Sequence, residues 1–250
     1  MDILITILVL CGCLVLGYLL GSISNGIIIG KMRTNKDIRD YGSHNAGGTN
    51  AGRVMGAKWG IIVILLDMLK TITAVLTSYF VCKYSGVAKF TIFAEDVTQF
   101  SELAYILASV GAIIGHSFPI FFKFKGGKCV ATFAGIVIAT SWVSLILGFI
   151  VFMLVLIIWK HVSLASMIGS LSCALVAIVY VLLPFEINSL FMNLAPASWY
   201  YVALMFGATI YLWYRHKANI GRLLRHEESV IDITKKLKRN KANANVNTND

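Results

Sequence analysis

Apolar positions along this chain come in long runs. They show neither the alternation of a half-buried strand nor the one-sided stripe of a surface helix. Six runs, at 3–23, 59–81, 103–121, 130–159, 164–183 and 199–214, are candidate bilayer crossings, since a crossing helix needs about 20 apolar residues. The run at 130–159 does not fit a single crossing. As one straight helix it would measure ~45 Å, against a hydrocarbon core of ~30 Å.

Basic residues decide how that run is read. Segment 31–58 holds six Lys or Arg, 123–128 three, position 160 one, and the stretch from Arg215 onward nine, out of 22 in all. Segments 82–102 and 184–198 hold only Lys83 and Lys89, beside Glu95, Asp96, Glu102 and Glu186. Positively charged loops stay on the cytoplasmic side. Keeping all four basic segments there requires an even number of crossings between Lys128 and Lys160. We therefore expect 130–159 to be a hairpin of two short or tilted helices, turning near 140–144. The fold expected is all-α: a polytopic membrane protein of seven transmembrane helices, N-terminus outside and C-terminus cytoplasmic. The alternative, one long tilted helix and six spans, would put the basic tail outside. Asp2 is the only early charge and no basic n-region precedes the first run, so that run reads as a span rather than a cleaved signal.

Composition agrees with this reading and narrows the function. Of 250 residues 58% are hydrophobic and 14% charged, more apolar surface than a soluble domain of this size can hide. The formal charge of +10 would suit nucleic acid, but the apolar runs exclude that partner. The five cysteines form no CxxC and share no zinc spacing with histidine, so neither a disulfide framework nor a metal is expected. The chain divides into a membrane unit, 1–226, and a basic, disordered tail, 227–250, whose lysines suit anionic headgroups.

Four segments interrupt the apolar pattern with glycines and small polar residues, and all four fall on the side assigned as cytoplasmic. The first, GSISNG at 21–26, reads on its own as small residues that let helices pack closely. The second is YGSHNAGGTN at 41–50, followed by Arg53. Its glycines free backbone N–H groups for an anion, Ser43, Asn45, Thr49 and Asn50 add polar groups, and Arg53 offers a fork of donors to phosphate. The third, GHSFPIFFKFKGGKCVAT at 115–132, sets Lys125, Gly126, Gly127 and Lys128 before a helix start, with His116 upstream. A Gly-Gly turn flanked by lysines at a helix N-terminus suits phosphate, although the P-loop spacing is absent. The fourth, YRHKANIGRL at 214–223, puts His216 and Asn219 on one helical face. Asp67 and Lys70, inside the second run at i,i+3, read as a structural ion pair.

Six motifs in order, GSISNG, GSHNAGGTN with Arg53, LLDMLK, GHSFPIFFKFKGGKCVAT, VSLAS and YRHKANIGRL, make residues from about 16 to 224 resemble the bacterial acyl-phosphate-dependent glycerol-3-phosphate acyltransferase family. The resemblance implies a compact seven-helix enzyme of the cell membrane with no cofactor. It would take acyl phosphate and glycerol 3-phosphate and serve phospholipid synthesis beside membrane lipid, coupled to an enzyme that produces acyl phosphate. It implies catalytic roles for Ser43, Arg53, His216 and Asn219. It also implies substrate or phosphate binding by Asn45, Thr49, Asn50, His116, Lys125, Gly126, Gly127 and Lys128. Three positions depart from the family pattern. His44 and Cys129 replace glycines, and their side chains are expected to crowd the phosphate pocket. Ala218 replaces a glutamate, which should alter the polar network around Asn219.

Two other classes fit less well. An HxxxxD acyltransferase is excluded because no histidine here has an aspartate five residues on. A transporter of organic anions would set polar groups at the midplane, often in duplicated halves; here they gather at one face.

Overall fold

The computed structural model describes residues 2–85, 96–194 and 197–230, so Lys89, Glu95 and the tail from 231 lie outside the described residues. The described chain forms helices α1 (Asp2–Gly21), α2 (Asn25–Thr34), α3 (Gly48–Met55), α4 (Ala57–Tyr84), α5 (Val97–Ser117), α6 (Val130–Thr140), α7 (Trp142–Trp159), α8 (Val162–Leu182), α9 (Phe185–Phe191), α10 (Trp199–Arg215) and α11 (Lys217–Leu224). Among the described residues five stretches can cross a bilayer by length and apolarity: Ile3–Thr34, Ala57–Tyr84, Val97–Phe122, Trp142–Trp159 and Val162–Leu182. The other two of the seven expected spans are short, 11 residues in α6 and 17 in α10. At 1.5 Å per residue α6 reaches ~16 Å, about half the hydrocarbon thickness.

The long run at 130–159 does break, at Ser141, inside the expected turn. Ser141 takes an extended backbone and its Oγ accepts from the Ser144 amide, capping α7. Val130 and Ala131 at one end, and Val162 and Ser163 just beyond the other, line one cavity.

Inside a bilayer, apolar burial gives helices little reason to associate, and close backbone approach takes its place. The α1–α5 contact is built this way. A Cβ added at Gly17 would sit 2.1 Å from the Ala108 carbonyl oxygen, and one at Gly111 would sit 2.1 Å from that of Leu14. Gly21 belongs to the same seam, 2.5 Å from the Ala112 oxygen by the same measure, which bears out the packing reading of GSISNG. Elsewhere α4 packs on α5 and α6, α7 on α8, and α8 on α10. The outward faces carry Leu65, Leu69, Phe149, Leu154, Ile158 and Leu175, all exposed as lipid-facing side chains are.

Lys70 holds the break between α1 and α2. Its buried Nζ donates to the carbonyls of Gly21 (2.8 Å) and Ile23 (2.5 Å), where helix-end oxygens lack partners. Asp67 pairs with it at 3.1 Å and accepts from Asn25 Nδ2 at 2.9 Å. The expected structural pair is thus also a helix cap.

Candidate active site

A cavity of about 440 Å³ opens between α3, α4, α6, α7, α8 and the α10–α11 junction. It has two characters. One end gathers Ser43, Arg53, His116, Lys128, His216 and Asn219. The other runs between α6, α7 and α8 past Val137, Leu145, Gly148, Phe149 and Phe152 to Cys173. Three of the four polar segments, the second to the fourth, therefore meet at the mouth of an apolar slot, joined there by Ser163, Glu228 and Ser229.

Lys128 anchors the polar end. Its Nζ donates to Asn219 Oδ1 at 2.6 Å, and Asn219 Nδ2 donates to Glu228 Oε1 at 2.7 Å. Burial, then the nearby Arg222, pulls the Lys128 ammonium down to about 8. Burial alone would raise the Glu228 carboxyl, but donors from Asn219, Arg222 and Ser163 outweigh it and hold the group below the usual glutamate range. Its Oε2 takes Arg222 Nε at 2.7 Å and its Oε1 takes Ser163 Oγ at 3.0 Å. Arg53, more exposed, donates through Nη2 to Ser229 Oγ at 2.6 Å.

His216 closes α10, with Nδ1 2.8 Å from the Leu212 carbonyl. A carbonyl only accepts, so Nδ1 carries the proton and Nε2 is a bare acceptor. Burial pushes His216 down to about 4, so the ring is neutral at pH 7.

Several expected ligands make bonds within the scaffold, Asn45 and Asn50 while lining the cavity. Asn50 lines the cavity, yet its side chain is fully used: Nδ2 donates to the carbonyls of Ile38, Tyr41 and Asn45, and Oδ1 accepts from the Ser43 amide. It folds the loop that presents Ser43. Asn45 Oδ1 accepts from the Gly47 amide at 2.8 Å. Thr49 lines the cavity on the first turn of α3. Lys125, Gly126 and Gly127 are not among the lining residues. The Gly126 and Gly127 amides, expected to cradle phosphate, donate to the carbonyls of Ser117 and His116, each at 3.0 Å. Lys125 is exposed, and its carbonyl accepts from Arg39 Nη1 at 2.8 Å.

The three departures also come out differently. His44 and Cys129 have φ of +56° and +63°, the left-handed region where glycine costs least, which explains the usual glycines there. Neither side chain lines the cavity, so neither crowds it. His44 is exposed, with Nδ1 3.0 Å from the Arg39 carbonyl. Cys129 is buried against Ser117 Oγ, and burial pushes its thiol up to about 11. Ala218 faces outward, and the carboxylate beside Asn219 comes from Glu228. Glu228, Ser229, Asp67 and Ser163 are among the polar lining groups that sequence reasoning left out as site residues. Of these four, Ser163, inside VSLAS, and Asp67, inside LLDMLK, stood in a motif.

Residues 11–226 match the protein family described as glycerol-3-phosphate acyltransferase. The chain belongs to that family. A glycerol-3-phosphate acyltransferase of Listeria monocytogenes is 38% identical over 216 residues, covering 86% of this chain and 93% of the relative. One from Chlorobium chlorochromatii is 38% identical over 241 residues, covering 91% and 99%. Among solved structures, PlsY (YgiH), an integral membrane glycerol 3-phosphate acyltransferase in its glycerol 3-phosphate form, superposes with a TM-score of 0.71 at 29% identity, covering 91% of this chain and 98% of that one. Its lysophosphatidic acid form gives 0.69. This acyltransferase is accordingly a multi-pass membrane enzyme of phospholipid synthesis that acylates glycerol 3-phosphate.

Proposed function

We propose that the enzyme moves an acyl chain from acyl phosphate to the sn-1 hydroxyl of glycerol 3-phosphate, at the cytoplasmic face, giving lysophosphatidic acid and inorganic phosphate. The observation that carries this reading is the single cavity with a cationic, hydrogen-bonding end and an apolar slot. Such a shape suits a reactant with a phosphate head and a hydrocarbon tail. The cytoplasmic assignment rests on the basic residues, which crowd the face where the polar end opens.

Acyl phosphate is an activated donor, so the protein's task is positioning and charge stabilisation. Arg53 and Lys128 bind phosphate oxygens and reduce the repulsion between two anionic substrates. Ser43 and Asn219 orient the groups. The hydroxyl oxygen attacks the acyl carbonyl carbon, the bond from that carbon to the phosphate oxygen breaks, and inorganic phosphate departs. The hydroxyl proton ends on the departing phosphate, because His216 at about 4 is too weak a base near neutrality to keep it. Among the described residues no histidine hydrogen-bonds Ser43 Oγ, which leaves an acyl-serine route without an activating base.

The test uses purified protein in lipid, given acyl phosphate and glycerol 3-phosphate, with phosphate release measured. Phosphate release is expected with acyl phosphate, and lysophosphatidic acid, measured in parallel because thioesters expel a thiol instead, is expected from acyl phosphate and not from acyl thioesters. Turnover with thioesters alone, or none with acyl phosphate where a relative works, would overturn the assignment of donor. Arg53→Ala and Lys128→Ala should each lower kcat/KM about 10- to 100-fold, as the loss of a charge-assisted hydrogen bond does.

A further inference from the structure

Beneath the 126–128 loop lies a buried imidazole whose two nitrogens have very different surroundings. His116, at the end of α5, is 6% exposed and lines the polar end of the cavity. Its Nδ1 stands 3.2 Å from Lys70 Nζ. Three acceptors surround that Nζ, the Gly21 and Ile23 carbonyls and the Asp67 carboxylate at 3.1 Å, an arrangement that matches the three protons of an ammonium, which is a donor only. A proton on His116 Nδ1 would point at a cation and find no acceptor. An imidazolium would set two buried cations in contact, each short of water. The ring is therefore neutral, with Nδ1 bare.

The remaining proton sits on Nε2. Among the described residues Nε2 makes no hydrogen bond to protein, and it lies against the Gly127 backbone, where a Cβ would come within 2.1 Å of it. The Gly127 amide in turn donates to the His116 carbonyl. The imidazole is clamped at one nitrogen by α4, held along its edge by the loop, and open toward the cavity that Lys128 lines.

We infer that Asp67 and Lys70 lock His116 as the Nε2–H tautomer, making it a fixed hydrogen-bond donor to the phosphate-bearing substrate. This rests on the phosphate reading of the polar end. It gives the cavity's two histidines opposite duties: His116 offers N–H at Nε2, whereas His216 offers a lone pair there. His116 thus takes no part as a base in the transfer. It also gives the Asp67–Lys70 pair a second purpose, since the cation that caps α1 orients a ring in the active site. A buried neutral donor of this kind adds stabilisation without demanding another charge inside the membrane.

The protein is labelled with 15N-histidine, reconstituted in lipid, and observed by NMR, with His116→Gln and His216→Gln spectra assigning the ring signals. His116 should show a protonated Nε2 and a bare Nδ1 near neutral pH, and His216 the reverse. Saturating glycerol 3-phosphate should shift the protonated His116 nitrogen. A proton on Nδ1, a doubly protonated ring, or an Nε2 signal unmoved by saturating glycerol 3-phosphate would each overturn the inference. The readout needs no turnover, so a protein inactive with acyl phosphate would still report its tautomer. In assays His116→Ala should lose about 100-fold in kcat/KM. His116→Gln, whose amide donates, should recover most of it. Equal loss in both variants, with unchanged melting temperature, would also count against a donor role.

Discussion

The α1–α5 seam and the α6–α7–α8 slot use the same small residues to opposite ends. At the seam Gly17, Gly21 and Gly111 bring backbone onto backbone, leaving no room even for a methyl group. In the slot Gly148 and Gly169 also face each other's helices, but a Cβ at Gly148 would meet the Cys173 sulfur at 2.4 Å, a side chain rather than a backbone. The seam is closed along its length. The slot is bordered by residues that also face lipid, such as Phe149, and it leads to Lys128 and Arg53. Small residues in a membrane helix thus signal proximity; whether they mean closure or a binding site depends on what terminates the contact.

The most damaging change should fall on the closed side. Gly111→Leu drives a side chain into the Leu14 carbonyl and the Tyr18 amide and should abolish folding of the enzyme. A monodisperse peak with native melting temperature in gel filtration and thermal scans would refute the seam's role. The same substitution in the slot should be milder and selective. Gly148→Leu fills space beside Cys173, which should leave short acyl donors nearly unaffected and lower kcat/KM for long ones about tenfold, read from a chain-length series. Equal losses at every length would remove the slot from acyl binding. A third, smaller effect belongs to the polar end. Lys128 loses its proton as pH rises through about 8, so kcat/KM for glycerol 3-phosphate should fall above that value, approaching tenfold per pH unit. Lys128→Arg, charged throughout, should flatten the profile; an unchanged fall would assign it elsewhere.

Much of this was legible in one sequence because it depends on local physics. Run length and basic residues separated the spans from the loops, and the excess length of 130–159 located the break at Ser141. Clustering of glycine, serine and arginine pointed to residues that now share a cavity. What stayed hidden depends on tertiary partners. Asn50 resembles any other polar loop residue until three carbonyls and an amide are seen to use up its side chain. Gly126 and Gly127 have the composition of an anion loop, but their amides bond back to α5. Glu228 lies past the last recognisable motif, at the expected start of a disordered tail, and no periodicity announces that it reaches Asn219 and Ser163. Positive φ at His44 and Cys129 explains why glycine is usual there, without any bearing on the pocket.

The central claim is that head and tail of one reactant occupy the two ends of this cavity. Lysophosphatidic acid carrying a photoreactive diazirine near the end of its acyl chain tests it directly. Irradiated with the enzyme in lipid and mapped by mass spectrometry, it should label α6, α7 and α8 around Val137, Phe149 and Cys173. Unlabelled lysophosphatidic acid should compete that labelling away. Competed labelling confined to α1 and α5 would contradict the account.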